Sequence, residues 1–454
     1  MKTKVLLLLT LLFNVNTYAQ FEEQQIISTE AAGIWQVTGA DIDGDGDLDV
    51  ISACGDDDKV AWYENTDGLG SFDIEHIVTT NANEADDVFA ADIDGDDDID
   101  LVVSSAVDNK ISWHENTDGL GTFTEHVITT FAAYAVSVFA ADIDGDGDMD
   151  VLSSSWNDDK VSWYENTDGL GDFGPQINII EEIDASKIFC ADFDGDGDTD
   201  LLFTSYPENK IIWMENTDGL GNFGEQQIIT DLAENAQTVF AADIDGDGDM
   251  DALSASTADD KIAWYENTDG LGNFGEQQVI TFNAIGAVRV FAADLDNDGD
   301  IDVLSASQYD DKIAWYENTD GLGDFGEQQI ISTNTLRAVS VFAGDIDGDG
   351  DTDVVSASHD DNKVAWFENS TITIGIDENE LLSFSVYPNP TSDILTIQSG
   401  TTFTRIEIYN QAGQLIISKS NLDKIDVSEL NQGLYFIKVI DEEGNFGISK
   451  IVKK

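Results

Sequence analysis

The sequence predicts an all-β chain: a seven-bladed β-propeller closed by its own N-terminal strand, followed by a small immunoglobulin-like β-sandwich. Three landmarks in fixed register carry that prediction. A string Asp-x-Asp-x-Asp-x-Asp-x-Asp begins at Asp41, Asp92, Asp142, Asp192, Asp243, Asp294 and Asp345, at spacings of 50 or 51 residues. A Lys-x-x-Trp pair keeps step with it, from Lys59 and Trp62 to Lys363 and Trp366. An aromatic opening the last strand of each unit is the third: Phe21, Phe72, Phe123, Phe173, Phe223, Phe274 and Phe325.

Each repeat reads as four short strands, as the third one illustrates. Val138-Phe139-Ala140-Ala141 is apolar and small, suited to an inner strand crowded around a central channel. The acidic loop 142–150 follows, then the strand Val151 to Ser155. Lys160 to Asn166 alternates and reads as the third strand, and Thr167-Asp168-Gly169-Leu170-Gly171 is a glycine-containing hairpin turn. Phe173 then opens a fourth strand running to Ile180. No segment sustains a 3.6-residue apolar period, so helices are few. Phe21 to Ser28 matches a fourth strand with nothing before it, and the seventh repeat stops after three strands near Asn369. The N-terminal strand is therefore expected to complete the last blade, leaving no unpaired blade edge.

Residues 1–19 have the shape of a secretory signal peptide: Lys2 and Lys4, the apolar run Val5 to Phe13, and small residues ending at Ala19. That run is too short to span a bilayer, and no other stretch is long and apolar enough. The chain carries 92 Asp plus Glu against 19 Lys plus Arg, a formal net charge of −73, which excludes nucleic acid and anionic membrane surfaces as partners. The two cysteines, Cys54 and Cys190, stand where sister repeats carry small residues and read as core positions, not a disulfide.

The acidic loops point to calcium. In a short loop wrapping around a centre, carboxylates at positions one, three, five and nine converge, and position seven commonly offers its backbone carbonyl. Calcium takes about six to eight hard oxygens at roughly 2.3–2.6 Å. The candidates are Asp41, Asp43, Asp45, Asp47 and Asp49; Asp92, Asp94, Asp96, Asp98 and Asp100; Asp142, Asp144, Asp146, Asp148 and Asp150; Asp192, Asp194, Asp196, Asp198 and Asp200; Asp243, Asp245, Asp247, Asp249 and Asp251; Asp294, Asp296, Asp298, Asp300 and Asp302; and Asp345, Asp347, Asp349, Asp351 and Asp353. About seven Ca²⁺ ions, mainly structural, are expected. Without a cation, so many carboxylates in one turn repel. An EF-hand is disfavoured, because position twelve is Ser52 and a β-branched strand follows. Magnesium tolerates neither so many protein oxygens nor a loose cage. In the second loop Asp97 replaces the glycine at position six, so that site is expected to be weakest. Asn297 replaces glycine at position four of the sixth loop and should be harmless.

On these landmarks residues 20–370 resemble the FG-GAP/VCBS repeats of integrin α-subunit propellers and their bacterial relatives. The resemblance implies calcium loops between the first and second strands of each blade, on one face, with ligands of relatives often on the opposite face. It transfers no particular ligand.

After a linker at 371–383 the composition turns nearly neutral. Short strands are predicted at Phe384–Tyr387, Ile394–Gln398, Arg405–Tyr409, Leu415–Lys419, Leu434–Ile440 and Ile448–Val452. Tyr387-Pro388-Asn389-Pro390, Ile408-Tyr409-Asn410-Gln411-Ala412-Gly413, Gly433-Leu434-Tyr435-Phe436-Ile437-Lys438-Val439 and the terminal Lys450 to Lys454 make residues 384–454 resemble the type A sorting domain of the type IX secretion system of Bacteroidota. That resemblance implies, as partners, the secretion machinery and a sortase-like peptidase, and a product released or attached to the outer-membrane surface.

Three functions stay open: an adhesin-like or glycan- or protein-binding surface module, a secreted polysaccharide-active enzyme, and a passive spacer. The four histidines form no set with a nucleophile, and no nucleophile elbow, zinc signature or phosphate loop occurs. No catalytic constellation is recognisable, so an enzyme is not expected, and neither is an oligomer. Repeat-to-repeat differences concentrate on the face away from the acidic loops. There Trp35, Tyr134, Lys187, Arg289 and Arg337 precede or open inner strands, and Trp156, Tyr206, Tyr309 and His359 lie between second and third strands. Aromatics with polar neighbours suit sugar stacking or protein contact.

Overall fold

A computed structural model describes residue 19, residues 21–370 and, near the C-terminus, 384–391, 393–399, 403–410, 415–420, 424–428, 430–441 and 446–454. The expected signal peptide, the expected linker 371–383 and the turn expected at Gln411-Ala412-Gly413 lie outside the described residues, Ala19 apart. The chain divides into two compact units near residue 373.

The first unit is seven four-stranded antiparallel sheets, and no helix occurs among the described residues. The first blade runs Ile34–Ala40, Asp49–Cys54, Lys59–Asn65 and Phe72–Thr79 in spatial order from inside outward. The seventh takes Ala338–Gly344, Asp353–Ser358 and Lys363–Phe367, and its outermost strand is Gln25–Ser28, paired antiparallel with Lys363–Phe367. The N-terminal strand thus completes the last blade. Blade seven packs on blade one through Val339, Val355 and Trp366 against Ile34, Val37 and Tyr63.

Second strands are buried end to end, which their Val, Leu, Ala and Ser content allows between facing sheets. The recurring tryptophans fill the space between blades. Trp62 is 2% exposed, and a Cβ on Gly121 of the next blade would come within 2.3 Å of its ring. The same pairing joins Trp113 to Gly171, Trp163 to Gly221, Trp213 to Gly272, Trp264 to Gly323 and, across the closure, Trp366 to Gly70. These turn glycines have φ of 73–83°, so backbone and packing both demand them. Cys54 and Cys190 are free and buried, and burial pushes the Cys54 thiol up to about 12, as suits inert core residues.

The fourth strands differ from expectation. Only in blades one and two is the strand continuous from Phe72 and Phe123. In blades three to six Phe173, Phe223, Phe274 and Phe325 form isolated bridges, and the strands begin at Ile177, Gln227, Gln278 and Gln329. The residue after each of these phenylalanines is Gly174, Gly224, Gly275 or Gly326, where blades one and two have Asp73 and Thr124. The break does not require glycine: in blade seven Phe21 is likewise an isolated bridge before the strand at Gln25, and Glu22 N–H donates to Glu368 O at 2.8 Å as Gly174 N–H does to Glu165 O at 2.8 Å.

The second unit is a sandwich of a three-stranded sheet (Phe384–Tyr387, Ile394–Ser399, Lys424–Asp426) and a four-stranded one (Leu415–Ser420, Phe403–Asn410, Gly433–Asp441, Phe446–Lys453). Leu395, Ile397, Ile406, Ile408, Ile437 and Val439 form its core. The short strand Lys424–Asp426 is additional to the expected ones.

Candidate metal loops and the opposite mouth

Each acidic loop leaves the inner strand at the same end and is built by its own carboxylates. In all seven loops the residue at position six donates its N–H to the first Asp, at 3.0–3.1 Å. The residue at position seven likewise donates to the fifth-position Asp, at 2.9–3.0 Å. These Asx-type turns curl the backbone so that the acids face one another. Carboxylate oxygens of Asp41, Asp43 and Asp45 lie within 4.8 Å of one another, as do those of Asp92, Asp94 and Asp96, of Asp142, Asp144 and Asp146, and of Asp192, Asp194 and Asp200.

The ninth Asp is in addition held by the backbone. Asp49 is 1% exposed and opens the second strand. Its two oxygens accept the N–H of Ile42 at 3.0 Å and of Asn65 at 2.8 Å. Burial outweighs those two bonds and pushes the carboxyl up to about 7, with the same result at Asp100, Asp150, Asp200, Asp251 and Asp353 and a rise to about 8 at Asp302. The seventh Asp is turned aside: a Cβ on Gly68 would meet the Asp47 carboxylate at 2.4 Å, so that side chain covers the hairpin turn of its own blade.

The asparagine at the end of the third strand, or two residues beyond it in blades three to seven, was not singled out from sequence. Asn65, Asn116, Asn166, Asn216, Asn267, Asn318 and Asn369 are at most 1% exposed. Each donates Nδ2 to the second-position carbonyl of the preceding blade's acidic loop, as Asn116 does to Ile42 and Asn65 to Ile346, at 2.7–2.8 Å throughout. In all seven blades its backbone N–H donates to the ninth Asp of its own blade, and in six its Oδ1 accepts the N–H of the turn glycine, as Asn65 does from Gly70 at 3.1 Å. The acidic loops are thereby linked around the ring. The available signal was the invariant sixteen-residue offset from the ninth Asp.

The two irregular loops keep the shape. Asp97 takes the left-handed conformation at φ 72°, where its sisters are glycines. Asn297, at φ 60°, does more than expected: its Nδ2 donates to Gly350 O at 3.2 Å and to Asp351 Oδ1 at 2.6 Å in the next blade. Asp296 beside it is buried to 1% exposure, and its carboxyl is pushed up to about 7 by that burial and then by Asp298.

Do these residues fit a divalent cation? Buried carboxylate oxygens without a hydrogen-bond donor answer that. Asp94 Oδ1, Asp144 Oδ1, Asp243 Oδ1 and Asp294 Oδ1, at loop positions one or three, are such atoms. Hard anionic oxygens left without donors, gathered at short range, are the donor set calcium takes.

On the opposite face the sequence candidates come together. Trp35, Tyr134, Trp156, Lys187, Arg289, Tyr309 and Arg337 line one cavity of about 340 Å³ at the mouth of the central channel. Below it a throat of about 140 Å³ shares Lys187 and Arg289 and ends on Phe89, Phe139, Phe189, Phe240, Phe291 and Phe342. These rings contact in sequence at centroid separations of 4.5–5.6 Å. Blade one carries Thr38 at that level, and Gly39 beside it makes room for Phe342. Tyr206 and His359 do not line the mouth. They stand behind it: Tyr206 against Trp156 at 6.1 Å, His359 against Trp35 at 4.7 Å. Arg337 lies 5.0 Å over the Trp35 ring and 3.6 Å from Asp360, and Tyr134 stacks on Trp156 at 6.0 Å while donating to Glu84 at 2.9 Å.

A model described as FG-GAP-like repeat matches residues 41–103, 98–153, 192–254 and 294–356. One described as a secretion system C-terminal sorting domain matches 385–454. Beta-agarase D of Zobellia galactanivorans is 37% identical over 68 residues, 15% of this chain. The chain thus spans 14% of the length of that curated relative. Among solved structures, the BBS1N–ARL6DN complex aligns at TM-score 0.53 and 12% identity, over 77% of this chain and 96% of the other. The WD40 domain of Toxoplasma gondii coronin aligns at 0.52 and 11%, over 80% and 88%. Both likenesses concern the fold alone.

Proposed function

Because this chain belongs to the FG-GAP-like repeat family and ends in a type IX secretion sorting domain, we propose that its propeller is a calcium-stabilised, non-catalytic binding module that meets a glycan or protein ligand on the face away from the acidic loops. The sorting domain marks the chain for type IX export, so the product is secreted or attached to the cell surface. Removal of that domain by a sortase-like peptidase belongs to the same reading. No helix among the described residues is long and apolar enough to cross a membrane.

The first, third and fifth Asp of each loop would hold the cation with their side chains, together with the position-seven carbonyl and the ninth Asp. Bound calcium supplies positive charge that lets the loop carboxylates stay ionised and close together. The chain's own residues do the rest: the asparagine clamps hold each loop against its neighbouring blade, the ninth-position acids brace the loop within its own blade, and the Trp–Gly contacts hold the blades. Seven divalent ions would offset about fourteen charges of a chain at −73.

One observation carries the binding role. Trp35, Tyr134, Trp156, Arg289, Tyr309 and Arg337, from four different blades, line a single cavity. Its size lies at the lower end of the roughly 300–1,000 Å³ usual for small-ligand sites. The test is a glycan and protein-ligand array on the calcium-loaded chain, repeated after chelation. Binding that is lost when Trp156 is replaced by Ala supports the reading. Ligand binding that survives the change places the site elsewhere, and cleavage of an arrayed polysaccharide would replace the reading with an enzymatic one.

A further inference from the structure

Resting on the binding role just proposed, the throat below the mouth sets the ligand's chemistry. Only three arginines occur in the chain, Arg289, Arg337 and Arg405, and two of them are at this one opening in a protein of net charge −73. The cations around the opening are not equivalent. Lys187 is consumed internally: its Nζ lies 3.0 Å from Asp87 and 3.6 Å from Asp86, and donates to the Val136 carbonyl at 2.9 Å. Arg337 is drawn outward to Asp360 and lies on Trp35. Arg289 forms no ion pair among the described residues and has one hydrogen-bond acceptor there, the Gln36 carboxamide. A guanidinium has five N–H donors in a planar fork. Burial disfavours its charge, against which Asp87 and Asp86 act from a distance.

We infer that the funnel binds an acidic sugar, whose carboxylate or sulfate enters the throat to meet Arg289 while its ring lies against the aromatic mouth. The throat, about 140 Å³, has room for one compact anionic group. The floor of the throat is six phenylalanines with Thr38 in blade one, so the cation that meets an entering anion is Arg289 above it. The guanidinium fork matches a carboxylate or sulfate edge in two parallel hydrogen bonds. Asp86 and Glu84, on the mouth side, are acceptors for sugar hydroxyls, and Lys187 offsets one of the two charges of Asp86 and Asp87, leaving Arg289 as the cation that meets the anion.

The test uses the full calcium-loaded chain with three oligosaccharide probes, ending in glucuronic acid, in a sulfated galactose or in the neutral hexose. The expected result is binding of one or both acidic probes at least tenfold tighter than the neutral one. Which acidic probe prevails identifies the group. Arg289→Ser should remove that preference with an unchanged melting curve, because Ser137 and Ser340 already occupy the same ring position in other blades. Equal binding of acidic and neutral probes, or a preference that Arg289→Ser leaves intact, overturns the inference while the binding role stands. Failure of all three probes overturns the inference and the glycan reading together.

Discussion

The two faces of the propeller are made by the same fifty residues repeated, yet they follow opposite rules. On the acidic-loop face every repeat carries the same Asp positions and the same Asn clamp, and six of the seven blade boundaries share the Trp–Gly contact. On the opposite face the position of Arg289 is Gln, Asp, Ser, Lys, Thr or Ser in the other blades, and that of Trp156 is Gly, Ala, Tyr, Thr, Gln or His. What must be done seven times, holding one blade to the next, is repeated. What is done once, at the single axis all blades share, has to differ between blades, because a ring of identical residues can only build a symmetric hole.

Chelation separates the faces most sharply. At a hundredfold excess over its dissociation constant one ion adds about 2.7 kcal/mol, so stripping seven sites should lower the melting temperature by on the order of 10 °C or more. An identical melt in EGTA would remove calcium from the account and leave the loops as self-contained turns.

Packing on the same face is tested by Gly121→Ala, whose methyl would meet the Trp62 ring at a φ of 81°. The expected loss is about 3 kcal/mol or more by overpacking and backbone strain together. Gly147→Ala also sits at positive φ, but nothing lies within 4 Å of its added methyl, so it should lose less. Equal losses in denaturant melts would show that the blade-boundary contact contributes nothing beyond backbone strain.

A smaller effect comes from His114, which is 1% exposed where four sister blades carry Tyr. Burial lowers its pKa to about 4, against about 6.5 when unfolded. The unfolded chain therefore binds the extra proton first. The native state is uncompromised above about pH 6.5, and stability is lost as pH falls from there towards 4, by up to about 3 kcal/mol. His114→Tyr should abolish that share of the acid sensitivity. The same pH dependence in both proteins would refute it. Smallest is Asp97→Gly, which gives the second loop its sisters' glycine: a gain of about 1 kcal/mol is expected, with tighter calcium binding there, read by titration calorimetry. Weaker binding would mean that Asp97 itself contributes to the site.

The amino-acid order by itself determined the blade count, the strand order, the N-terminal strand's place in the last blade and the identity of the acidic loops. Those features rest on local periodicity and on spacing, and each repeat writes them again. Tertiary structure alone decided what meets what between repeats. It gave the ninth Asp to buried backbone N–H groups and the asparagines to the preceding blade. It broke five outer strands after their opening phenylalanine, and gathered Trp35, Tyr134, Trp156 and Arg289 from three blades at one opening. Such contacts join residues tens to hundreds of positions apart, and only closure of the ring brings them within reach.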